Sequence, residues 1–259
     1  MKKVLCVLIF SALINYANAQ QKYYIMYGDT LNLLDSQNKK QGLWQDTTFG
    51  NVSKGYYVDS KKDGMWITYN SKNVITKMES YKNGLKHGTF AFLDDYGYYK
   101  SEATYKNDNL NGPQRNFAAG GRILKEEYYL NGSMHGLKKV YYEQNNMILE
   151  ESYYKYGLRD SIAKYYNSNG NLIAIYPYKM GNFEGVVKTF YSSGNLQSEE
   201  TYSQNISNGA YKEYFDDSLK KVKLSGQNIN GIKEGKWIEY DIDGKVIKTT
   251  TYKNGEEKK

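Results

Sequence analysis

The sequence predicts an all-β protein, an elongated, solenoid-like array of consecutive antiparallel β-hairpins with about nine units of ~24 residues. Three observations carry that prediction. A glycine returns at a nearly constant step, as Gly64, Gly88, Gly112, Gly136, Gly185, Gly209 and Gly235, with Ser161 in one glycine's place; the steps are 24, 24, 24, 25, 24, 24 and 26. A tyrosine stands seven residues ahead of each marker, at Tyr57, Tyr81, Tyr105, Tyr129, Tyr154, Tyr178 and Tyr202, fails once at Asn228, and returns at Tyr252. Between markers, short β-branched and aromatic runs alternate with Asn, Gly and Ser turns, and no helical spacing survives.

One unit shows how the hairpin is built. Gly64 to Tyr69 alternates as a strand, Asn70 to Asn73 is turn chemistry, and Val74 to Tyr81 is a second strand; Lys82-Asn83-Gly84-Leu85-Lys86-His87 then links to the next marker. Glycine recurs in the hairpin turns (Gly97, Gly121, Gly170, Gly194, Gly244) and in the linking turns (Gly84, Gly132, Gly157, Gly181, Gly231, Gly255). Both turns therefore ask for residues that tolerate a left-handed backbone.

Side chains alternate between the faces of a strand. The fifth residue after each marker is aromatic in nearly every unit: Tyr69, Phe117, Tyr141, Tyr166, Phe190, Tyr214 and Tyr240, with Leu93 as the exception. This row is the expected structural ladder and core, the other reading being a row of binding rings. The second residue after the marker reads Trp66, Phe90, Gln114, Lys138, Ala163, Val187, Tyr211 and Trp237. Its rings sit at the two ends and vanish in the middle. That row is expected on the solvent face, either as extra cover for end units or as a surface shaped for a ligand, so Trp66, Phe90, Tyr211 and Trp237 form the candidate partner-binding surface.

Composition agrees with thin β-structure. Of 259 residues, 29 are Tyr against 8 Phe and 3 Trp, and mean hydropathy is -0.77, so a chain this polar is still too aromatic for disorder. Residues 1–19 read as a cleavable signal peptide: Lys2 and Lys3, an apolar run from Val4 to Ile14, then Ala17-Asn18-Ala19 as a small-x-small cleavage site. Residues 20–41 read as an N-terminal lead-in or cap, and 42–259 as the hairpin array. The expected location is secreted or periplasmic. Cleavage would remove the single cysteine, Cys6, and with it any disulfide, thiol nucleophile or thiolate metal site. It would also take the formal charge from +7 to +5, since two lysines and no acids leave with the leader. The charges are interspersed and only three of the 35 basic residues are Arg, which argues against a nucleic-acid partner.

The motifs Tyr81-Lys-Asn-Gly-Leu-Lys-His-Gly88 and Tyr129-Leu-Asn-Gly-Ser-Met-His-Gly136 resemble the MORN repeat. Complete units such as Gly235-Lys-Trp-Ile-Glu-Tyr-Asp-Ile-Asp-Gly244 followed by Tyr252-Lys-Asn-Gly255 look most like the bacterial MORN-variant repeat, and Asp35 to Trp44 looks like the first unit of secreted arrays. The resemblance spans roughly Asp35 to Gly255. It implies a scaffold or interaction surface. Lipid contact has been proposed for some eukaryotic arrays, and some bacterial ones carry an antitoxin label, with which the signal peptide sits poorly. Ser161, the two-residue-longer unit at Gly209 and Pro177 depart from the pattern and are expected to mark kinks or bulges.

Chemistry is sparse. His87 and His135 hold equivalent places two units apart, too distant for one metal ion, and each reads as a turn residue before a glycine. The acid pairs Glu126/Glu127, Glu150/Glu151 and Glu199/Glu200 should split across the sheet, which disfavours glycoside hydrolysis. Ala118-Ala119-Gly120-Gly121 lacks the helix and Lys-Ser/Thr of a phosphate loop. No catalytic residue, cofactor or metal ligand is expected, and the expected partner is a protein or glycan, with peripheral membrane contact as a further possibility. The alternatives are an envelope module touching lipid or peptidoglycan, an antitoxin-like neutraliser, and a carbohydrate-active enzyme.

Overall fold

The computed structural model describes residues 24–26 and 29–258. The expected leader and the expected cleavage site after Ala19 lie outside the described residues. All regular structure among the described residues is antiparallel β-strand, arranged as consecutive hairpins. The chain divides into two compact units, one ending at Asn109 and one beginning at Leu110.

In the first unit, Tyr24–Met26 pairs with Asp29–Leu31, and Leu33–Leu34 pairs with Lys40–Thr48. Strands Lys40–Thr48, Asn51–Val58, Lys61–Tyr69, Ile75–Lys82, Gly88–Leu93 and Tyr99–Lys106 then follow as a meander, each hydrogen-bonded to the next. The second unit repeats the plan from Asn109–Phe117 through Ile123–Leu130, Gly136–Tyr141, Ile148–Lys155, Ser161–Tyr166, Leu172–Lys179, Gly185–Phe190, Leu196–Ser203, Ile206–Tyr214, Val222–Ile229 and Ile232–Tyr240 to Val246–Lys253.

The two sequence columns meet across the ladder. Each marker is the direct partner of the column residue of the next hairpin strand, a tyrosine as in Gly64↔Tyr81, Gly136↔Tyr154, Ser161↔Tyr178 and Gly235↔Tyr252, and Asn228 opposite Gly209. The marker glycines hold positive φ, from 71° at Gly64 to 136° at Gly209, a backbone that only a residue without Cβ adopts freely. Ser161 takes the same conformation, at φ 70°. The strand pairing is not broken there, nor at Pro177, which stays in register opposite Ile162.

The turns are as the residues ask. Asn83 and Gly84 carry φ of 53° and 84°, the two-residue hairpin geometry whose twist matches the strands. At the hairpin tips, Asn70, Asp94, Asn167 and Asp241 each accept two backbone N–H bonds from residues two and four further on, closing the turn. A β-bulge recurs near the tips of the hairpins that follow Lys40–Thr48/Asn51–Val58, itself in unbroken register, for instance between Thr68 and Tyr69, between Val140 and Tyr141 and between Glu239 and Tyr240. The extra residue lies on the second strand, so the first strand keeps its alternation from marker to tip.

One face, here the closed face, takes the even positions after the marker; the open face takes the odd ones. Trp66 is 1% exposed, Phe90 2% and Trp237 4%, all on the closed face. This corrects the expectation that the second position faces solvent. Its rings are the core of their hairpins, because a single sheet has no second layer and must bury its largest rings against neighbouring strands. Tyr211, in the same row, is half-buried with its ring 5.4 Å from that of Trp237. On the open face, Tyr69, Phe117, Tyr141, Tyr166, Phe190 and Tyr240 are half-buried, and of that row Tyr214 alone is buried. The deepest packing is therefore one position away in parity from the row expected to form it.

Candidate functional site

The closed face is built from a recurring triplet. Where it is complete, around Lys40, Lys62, Lys86 and Lys233, a cation stands two residues before the marker glycine, a large ring two after it, and the column tyrosine opposite it. Lys62 Nζ lies 4.4 Å from the ring of Trp66 and 4.9 Å from that of Tyr81; Lys233 Nζ lies 4.2 Å from Trp237 and 5.1 Å from Tyr252. Lys40 covers Trp44 and Tyr57, and Lys86 covers Phe90 and Tyr105, in the same way. The rings themselves meet edge to face: Trp44–Tyr57 at 5.6 Å, Tyr57–Trp66 at 4.9 Å, Tyr81–Phe90 at 5.2 Å and Phe90–Tyr105 at 5.0 Å. Each triplet covers the ring faces with a charge whose stem is apolar. With ring, lysine and strand in place, this face presents structure rather than a docking surface, so Trp66, Phe90 and Trp237 are not available to a partner.

In the middle of the second unit the triplet is replaced. The second position is Ala163, and the covering residue is Arg159. Arg159 donates Nε to the Tyr154 hydroxyl at 3.1 Å, Nη1 to the Tyr178 hydroxyl at 3.1 Å and Nη2 to Glu150 Oε1 at 2.9 Å. Glu150 is buried and also accepts from Ser152 Oγ at 2.8 Å and Lys138 Nζ at 3.1 Å. Burial alone would raise its carboxyl, but the Ser152 and Lys138 hydrogen bonds and the nearby Arg159 charge outweigh that and hold it below the usual carboxylate range. Burial, with the Glu150 charge beside it, pushes the Tyr165 phenol up to about 12. The cluster is an internally satisfied ion network that does the packing work of a ring. Sequence reasoning missed it. The only trace was the loss of aromatics at Lys138 and Ala163 together with acids at Glu150.

The acid pairs do split between faces. Glu127 is buried on the closed face beside Lys125 at 3.0 Å, while Glu126 pairs with Arg115 on the open face. Glu200 accepts from Tyr202 and Asn228; Glu199 binds Lys188 at 2.7 Å and Tyr214 at 2.7 Å on the other side. The Lys188 hydrogen bond, aided by that of Tyr214, holds the Glu199 carboxyl low. His87 and His135 occupy the turns before Gly88 and Gly136 and donate their backbone N–H to Ser80 and Tyr128. No group of three or more His, Cys, Asp or Glu that could hold a metal ion occurs among the described residues.

The open face of the second unit carries three parallel rows. The third position gives a charge ladder that runs strand by strand through Arg115, Glu126, Lys139, Glu151, Lys164, Ile175, Lys188, Glu199, Lys212 and Ser225, each the register partner of the next. Lys139 reaches Glu151 at 3.4 Å. The fifth-position rings border the ladder, and Tyr166 donates its hydroxyl to Glu151 at 3.1 Å. On the other border the first position gives an apolar row in which Leu137, Tyr153, Ile162 and Val186 are all exposed. The register partners Leu137↔Tyr153 and Ile162↔Pro177 carry this row across both strands of their hairpins. Neither this row nor the ladder was recognised in the sequence as a surface.

A family model described as MORN repeat variant matches residues 159–180, 183–204 and 233–254. Each matched stretch opens on the residue that covers the ring pair, Arg159, Phe183 or Lys233, two before its marker. No curated protein matches the chain.

Proposed function

We propose that this chain is a non-enzymatic binding or scaffolding module, exported from the cytoplasm, that engages a protein partner through the open face of its second unit. The matches to the MORN repeat variant support a repeat scaffold. The observation that carries the choice of face is the exposed apolar row Leu137, Tyr153, Ile162 and Val186 laid beside a charge ladder, since apolar side chains left in water next to ordered charges are what a partner covers. The glycan reading rested on Trp66 and Trp237 as exposed stacking platforms, and their burial removes its ground. Against enzymatic function, the carboxylates of each acid pair lie on opposite faces, and Glu127, Glu150, Glu151 and Glu199 are each held by a cation. Export is supported by the leader pattern of residues 1–19; mass spectrometry of the cell-associated and released protein should find a chain beginning at Gln20.

The test is affinity capture from an envelope fraction with the wild-type chain and with an Ile162→Asp/Val186→Asp variant whose circular dichroism and melting are unchanged. The reading expects a protein held by the wild type and lost by the variant. Capture of nothing, or equal capture by both, would overturn it.

A further inference from the structure

The charge ladder on the open face alternates with two interruptions. Where an acid would continue it, the chain has Ile175 between Lys164 and Lys188, and Ser225 beside Lys212. Lys188 is tied to Glu199 at 2.7 Å, but Lys164 is exposed and makes no ion pair among the described residues. Neighbouring strands are ~4.8 Å apart, so Lys164 and Lys188 stand ~10 Å from each other across Ile175 with no anion between them. Two residues before Lys164 on the same face is Ile162, 50% exposed; two before Lys188 is Val186. The surface thus repeats one unit, an exposed apolar side chain and a cation two residues apart, with an anion missing between successive cations.

We propose that this face binds an extended acidic polypeptide segment in which an apolar residue and a carboxylate stand two residues apart, its carboxylate seated over Ile175 between Lys164 and Lys188. An extended strand also repeats its facing side chains every second residue, so a segment stacked along Ser161–Tyr166 sets its apolar residue on Ile162 and its carboxylate at Lys164 in one register. That carboxylate completes the broken alternation. A basic segment would instead add a like charge beside an unpaired lysine, which is the element that discriminates between partners. The proposal rests on the binding-module reading above and adds the chemistry of the partner.

The probe is a fluorescent peptide repeating Val-Ser-Glu-Ser, with a Val-Ser-Lys-Ser peptide as control, titrated against the full chain by anisotropy at low salt. Saturable binding of the acidic peptide alone is expected. It should weaken by about tenfold or more in Lys164→Glu and fall as salt shortens electrostatic range. Lys164 is exposed, so the variant should fold; Lys188→Gln provides a second charge removal with a smaller expected loss. Absence of binding, equal binding of the basic control, or no effect of Lys164→Glu overturns the proposal. So does sedimentation showing that the face is occupied by a second copy, with a dimer lost in Ile162→Asp. If the peptide fails while a captured envelope protein still depends on Ile162, the acidic-partner inference falls alone; if that dependence also fails, the binding-module reading falls with it.

Discussion

The indole of Trp66 lies flat against the backbone of Gly55, and a Cβ on Gly55 would fall inside the ring. Trp237 lies on Gly226 in the same way at the far end of the second unit. Gly55 and Gly226 hold equivalent places in their hairpins, two residues ahead of Tyr57 and Asn228, and neither has a left-handed φ. Their requirement for glycine is therefore steric: a tryptophan can cover the strand only where the strand carries no side chain.

Gly55→Ala should accordingly destabilise the first unit by overpacking, by about 1–3 kcal/mol. Combining it with Trp66→Leu should cost less than the sum of the two single changes, because the smaller side chain clears the new methyl. Urea denaturation of the four proteins in a double-mutant cycle checks this. Additive costs would mean that the ring and the glycine do not meet.

Glu150 gives a pH signature. Its folded carboxyl titrates below its unfolded value because the hydrogen bonds from Ser152 and Lys138 and the Arg159 charge overcome the opposing effect of burial. The stability it contributes is therefore fully present above the unfolded carboxylate range and is lost as pH falls through the depressed folded value. Melting followed from about pH 6 to about pH 3 should show a shallower acid loss in Glu150→Gln than in the wild type, at the expense of lower stability near neutrality. Arg159→Met should remove about 1–3 kcal/mol by leaving part of a buried carboxylate without its donor.

Ser161 occupies the backbone conformation that the other markers reserve for glycine, at φ 70°. Ser161→Gly should stabilise the chain by about 0.5–1 kcal/mol, the relief of the left-handed strain less the extra entropy of glycine in the unfolded chain. Denaturation midpoints of the pair decide it, and an unchanged or lowered midpoint would mean that the serine side chain contributes more than the strain removes.

The period, the hairpins and the turn chemistry were legible because they depend on local backbone geometry, which Gly64, Gly84, Asn83 and the tyrosine column state directly. Which face is the core was not. The fifth-position rings are present in almost every unit and so looked like a continuous interior, whereas they form the border of an open charge ladder, with Tyr166 and Tyr214 hydrogen-bonded to its acids. The second position looked exposed because Lys138 and Ala163 interrupt its rings. There the core changes chemistry without changing place, from Trp66 under Lys62 to Ala163 beside the Arg159–Glu150 network. A hydrophobic pattern cannot register a core made of satisfied charges. The ladder itself escaped notice because its partners lie on different strands and appear in sequence only as scattered Lys and Glu.

Val186 and Val187 are neighbours in one strand with 40% and 8% exposure, so they place the two faces in direct comparison. Thermal unfolding of Val186→Asp and Val187→Asp is the most direct test of the assignment of core and binding face. Val186→Asp should stay within about 0.5 kcal/mol of the wild type, while Val187→Asp, which buries an unpaired carboxylate, should lose about 3 kcal/mol or more or fail to fold. Equal tolerance of both, or the reverse order, would contradict the account.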